Sequence, residues 1–127
     1  MALDNAVTQP RLTQVGILVL AVVAAAIHTS RAAADPQMRG LFVLCAVGFL
    51  GLSALLVLPQ AEPVRRSARL VTVFFTAATA LLYVAWGLSS GRWYLPLGPV
   101  SVAVELALLA ILLVEARRDV PVEIGAA

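Results

Sequence analysis

Hydrophobic positions along the chain gather into four blocks separated by short polar breaks. They run over residues 12–30, 36–58, 64–89 and 97–116. Each is close to the roughly 20 apolar residues that a bilayer-spanning helix needs. The breaks carry helix-stop and helix-start residues. Asp35-Pro36 reads as an N-cap followed by a first-turn proline, Pro59 ends the second block, and Pro63 opens the third. Ser89-Ser90-Gly91-Arg92 turns the chain before the fourth block, which follows Pro96 and Pro99. Connections this short set neighbouring helices antiparallel. The expectation is an all-α, integral-membrane, up-down four-helix bundle over residues 12–118, with tails at 1–11 and 119–127.

Composition agrees with the pattern. Hydrophobic residues make up 61% of the 127 and charged residues only 13%, against about 25% charged in soluble domains. A small soluble domain could not bury four helices apolar on every side. The net charge of +2 comes from nine Arg, no Lys and seven acids. Arg11, Arg65, Arg66, Arg69, Arg117 and Arg118 lie on one side of the expected topology, and Arg31, Arg39 and Arg92 on the other. Positive charge favours the cytoplasmic side, so both termini are expected there, in a multi-pass protein of the cytoplasmic membrane. The basic balance reads as topology, with lipid rather than nucleic acid as the surroundings. Ala24-Ala25-Ala26 offers a signal-peptidase-like site, but Asp4 offsets Arg11 in a weakly basic n-region, so the first block is expected to stay as a span.

Inward positions of a membrane bundle recur at heptad-like spacing. On the first helix Gln14, Ala21, Ala25 and His28 share such a line; on the second, Cys45, Gly48 and Leu52 do, with Gly51 alongside. On the third, Thr72, Thr76, Thr79, Tyr83 and Trp86 alternate steps of four and three; on the fourth, Gly98, Ser101, Glu105, Leu108 and Leu112 alternate three and four. Small residues let helix backbones approach, so Gly48, Gly51, Thr76, Thr79, Ala103 and Ala107 are expected as helix-packing positions. Ala103, Ala107 and Ala110 form a second small face on the fourth helix, suited to a partner helix or a second copy. Trp93 and Tyr94 are placed as an interfacial aromatic belt.

Glu105 is the one acid well inside a span. A central carboxylate costs roughly 2.5–3.5 kcal/mol on insertion scales, and each Leu, Ile or Val returns roughly 0.3–0.6 kcal/mol. The eleven such residues of Leu97–Val114 therefore carry it. At ~1.5 Å per residue, Glu105 and Cys45 lie roughly 12 Å below the outer end, Tyr83 ~9 Å, Ser101 ~6 Å, and His28 and Trp86 within about 5 Å. Glu105, His28, Tyr83, Trp86 and Ser101 are thus the candidates for ligand binding or proton exchange. The alternative for Glu105 is a structural acid, protonated or hydrogen-bonded to Tyr83. His28 is expected to reach it only through Tyr83 or a water, unless the first helix continues beyond Ser30. No metal, cofactor or catalytic role is expected. A bis-histidine haem needs two histidines, His28, Met38 and Cys45 match no copper spacing, and no nucleophile sits beside a base.

His28 late in the first span, Gly40-Leu41-Phe42 opening the second, Tyr83 late in the third, Leu95-Pro96-Leu97-Gly98 and then Glu105 together resemble small four-helix membrane proteins of actinobacteria and archaea. These are similar in size and topology to DoxX-like proteins. The resemblance spans about residues 12–116 and implies topology and a shared polar constellation, without an activity. Small multidrug-resistance transporters also have four spans and one membrane carboxylate. Theirs lies in the first helix, whereas Glu105 lies in the fourth.

Overall fold

The computed structural model describes the backbone of residues 2–118 and the side chains of residues 12–118. The expected C-terminal tail, 119–127, lies outside the described residues. Four helices form, α1 (Ala2–Ala34), α2 (Arg39–Val57), α3 (Glu62–Ser90) and α4 (Leu97–Arg118), with no strand among the described residues. Each contains a stretch long and apolar enough to cross a membrane, that of α1 being Leu12–Ala34.

Residues 2–11, expected as a tail, are helical as the start of α1, and local chemistry moves two further boundaries. α1 continues one turn past Ser30, because the Thr29 and Ser30 hydroxyls donate to the Ala25 and Ile27 carbonyls at 2.7 and 2.8 Å and leave the helix unbroken. Asp35 does not cap α2. Its Oδ1 accepts from the amides of Gln37 and Met38 at 3.1 and 3.3 Å, closing a turn through Pro36, and α2 begins only at Arg39 with Met38 as its N-cap. At the other end Leu58 is extended, as a residue before proline is biased to be. α3 has proline in its first turn and stops at Gly91, whose φ of 71° is the left-handed cap that glycine adopts freely. Two arginines complement the dipole in the last turn of α4.

The helices form a ring. α1 packs on α2 and α4, α3 packs on α2 and α4, and the backbones of the two diagonal pairs stay more than 8 Å apart, Cα to Cα. The half of the ring near the α2–α3 connection holds an apolar core of Ile17, Ala21, Ala24, Phe49, Leu56, Leu108 and Leu112, with Ser53, Arg69 and Thr72 also buried at this end. Phe49 meets Phe75 edge-on with centroids 5.0 Å apart. Outward faces are apolar, with Leu12, Phe74, Leu81 and Leu88 all more than two-thirds exposed.

Several expected packing positions need correction. Thr76 and Thr79 are buried, and a Cβ added to Gly48 would strike the Phe75 ring, so these three do sit between helices. Gly51 is exposed, and a Cβ there would meet nothing within 4 Å, while Ala103 and Ala107 are exposed on the face of α4 expected to suit a partner helix. The buried face of α2 is Cys45, Ala46, Phe49, Ser53 and Leu56, because the bulk of Phe49 fills the axis where the small-residue line would have left a void.

Candidate functional site

The ring is open at the end that carries the α1–α2 and α3–α4 connections. A cavity of about 140 Å³ lies there, close to the 150 Å³ engineered cavity that holds one benzene. Every helix contributes to its walls: Ile27 and His28 from α1, Leu41, Phe42 and Cys45 from α2, Thr79, Leu82 and Trp86 from α3, and Leu97, Ser101 and Glu105 from α4.

At its base His28 Nε2 stands 3.7 Å from Glu105 Oε1. The continuation of α1 beyond Ser30 accompanies this direct approach, and Tyr83 does not mediate it. The other imidazole nitrogen, Nδ1, lies 2.7 Å from the Ala24 carbonyl oxygen. A carbonyl can only accept, so Nδ1 carries a hydrogen and Nε2 is the atom left to gain or lose one. Phe49 and Phe42 flank the imidazole at 5.5 and 6.2 Å between ring centres. Ser101 Oγ donates to Glu105 Oε1 at 3.4 Å. Thr79 also lies close to the carboxyl, but its hydroxyl donates to the Thr76 carbonyl at 2.8 Å. Oε2 of Glu105 is buried without a hydrogen-bond partner, on a side chain only 2% exposed. A polar atom so placed is costly unless something pairs with it.

All five expected site residues line the cavity, but their roles differ from expectation. Tyr83 is not bonded to Glu105. Its hydroxyl donates to the Trp93 carbonyl, fixing the α3–α4 connection to α3. Gly98 makes that closure possible, since a Cβ there would collide with the Tyr83 hydroxyl and the Trp93 carbonyl. Trp93 and Tyr94 are half-buried at the α3–α4 connection and pack on neighbouring side chains there. Trp93 lies over Gly87 and meets Tyr83 edge-on at 5.8 Å. Tyr94 donates its hydroxyl to Asp35 Oδ2 at 2.8 Å and accepts from Arg31 at its carbonyl. Burial and the Asp35 contact raise the Tyr94 phenol above its ordinary range, and the same hydrogen bond holds the Asp35 carboxyl below its own.

Arg31, Asp35, Met38 and Tyr94 were not among the expected site residues. Arg31 sits three residues after His28, on the same face of a helix that continues past it, so the spacing held the signal once α1 was allowed its last turn. The Asp35–Tyr94 contact spans 59 residues between two connections and has no local signature. No known protein family, curated protein or solved structure matches this chain.

Proposed function

We propose that the protein is a multi-pass membrane protein, an up-down bundle with both termini cytoplasmic. In this reading its outward-facing cavity binds a small molecule, with Glu105 and His28 holding an exchangeable proton. The observation that supports this best is the 3.7 Å approach of His28 Nε2 to Glu105 Oε1, with Oε2 buried and unpartnered beside a cavity of one ring's size. The two groups share one proton in either of two net-neutral arrangements, imidazole with carboxylic acid or imidazolium with carboxylate. Interconversion needs only a small movement, and a bound molecule that hydrogen-bonds Oε2 biases it. The other titratable or charged groups around the cavity are Cys45 from α2, Tyr83 from α3, Tyr94 from the connection and Arg31 toward the mouth.

Trp86 lines the same cavity and reports on it. In a W93F background held in lipid nanodiscs, Trp86 emission is expected to titrate with pH and to be quenched by benzyl alcohol. Glu105→Gln is expected to abolish the titration, and Cys45→Phe, which fills the cavity, the quenching. A folded Glu105→Gln protein that titrates like its parent would overturn proton exchange at this site.

A second reading, an accessory subunit of a larger membrane complex, is favoured by the exposed line of Ala103, Ala107 and Ala110. Co-purification with another membrane protein in mild detergent supports it, and a protein that elutes alone opposes it.

A further inference from the structure

The charges around the cavity do not balance. Sharing one proton as proposed above, the His28–Glu105 pair is neutral as a unit, and the cysteine and tyrosines lining the walls are neutral in their ordinary forms near pH 7. Arg31 is the remaining charge among the lining residues. Its guanidinium lies 4.6 Å over the Tyr94 ring and donates one hydrogen bond to the Tyr94 carbonyl. No carboxylate among the described residues comes within 4.0 Å of it. Asp35, one turn further on, is engaged by the Tyr94 hydroxyl and by the Gln37 and Met38 amides, and the arginine acting on its carboxyl is Arg92. A guanidinium has five N–H donors arranged to take a carboxylate with two at once, so the Tyr94 carbonyl leaves most of that capacity unused. A half-buried positive charge at the mouth of an apolar cavity, with no carboxylate among the described residues within 4.0 Å, is matched by a ligand that brings one.

We propose, resting on the cavity reading above, that the molecule bound is a small lipophilic monocarboxylate. Its anionic head sits on Arg31, and its ring-sized apolar body lies between Phe42, Leu82 and Leu97. Arg31 stands about 4.5 Å of helix rise above His28, so such a body extends toward Ser101 and Glu105. The volume decides against anything much larger inside the walls, and Arg31 decides against a cation, which would have to pass it.

The test uses benzoate, benzyl alcohol and benzylamine, three molecules of one size and different charge, with the full chain in phosphatidylcholine nanodiscs and Trp86 quenching in the W93F background. Benzoate is expected to bind at least about tenfold more tightly than benzyl alcohol, as a charge-assisted pair implies, with benzylamine weakest. Arg31→Gln is expected to erase the preference for benzoate over the alcohol, and Arg31→Lys, which keeps the charge, to retain most of it. Unfolding temperatures check that both variants are intact. Benzylamine binding best, or a preference unchanged in Arg31→Gln, overturns the monocarboxylate while leaving the cavity reading standing. Failure of all three molecules to bind removes both. Loss of benzoate binding when phosphatidylglycerol is added to the bilayer assigns Arg31 to lipid head groups and overturns the free carboxylate.

Discussion

Tyr94 joins the two connections at the open end. Its hydroxyl binds Asp35, its carbonyl accepts from Arg31 and from the Gly98 amide, and its φ of 48° is one that side chains other than glycine rarely adopt. The Asp35 carboxyl is held below its ordinary range by that hydroxyl. A carboxyl with a depressed folded value stabilises the fold above its unfolded value and loses that contribution as pH falls through the folded one. Tyr94→Phe should therefore unfold at a lower temperature than the parent at neutral pH. The gap should close as the pH drops below the carboxylate range. Thermal unfolding in detergent across that range checks this, and a gap independent of pH would show that the hydroxyl–carboxylate contact is not its source. The threonines of α3 behave otherwise. Thr72 and Thr76 donate to carbonyls one turn back at 2.6 and 2.7 Å, so their hydroxyls serve their own helix and leave the space between helices to their methyl groups.

Among the helices, α4 was the most legible from sequence and α2 the least. On α4 the expected inward line Gly98, Ser101, Glu105, Leu108 and Leu112 is the buried set. One acid, one hydroxyl and one glycine at steps of three and four mark a face that lipid would reject, so the pattern had contrast. α2 carries little such contrast beyond Cys45 and Ser53, and nothing in Gly48, Gly51 and Leu52 distinguishes a buried from an exposed position. There the decision fell to shape, and Phe49 took the axis. The two glycines now separate cleanly. Gly48→Leu should cost about 1–3 kcal/mol, the usual penalty of overpacking, because its side chain would drive into Phe75. A Cβ at Gly51 meets nothing within 4 Å, so Gly51→Leu should be neutral or slightly stabilising. Unfolding of both variants in the same detergent gives the comparison, and equal losses would contradict the assigned faces. The end of α1 and the contacts of Tyr83 stayed hidden for a related reason: each depends on where a connection folds back, and the spacing from His28 to Arg31 becomes readable only once that end is known.

At the scale of the whole molecule, the cavity belongs to neither half of the chain alone. The hairpin of α1 and α2 supplies His28, Arg31 and Phe42, the hairpin of α3 and α4 supplies Trp86, Ser101 and Glu105, and the chain passes between them through Leu58–Ala61 at the opposite end. That link donates nothing to the cavity wall, and α1 meets α4 as α2 meets α3. Covalent continuity through it is therefore expected to be dispensable when both halves are made together. Genes encoding residues 1–60 and 61–127 separately should yield fragments that copurify and restore the Trp86 titration, whereas each fragment alone should show none. The ring of helices is in effect a clasp of two pieces, and the cavity exists only when the clasp is shut.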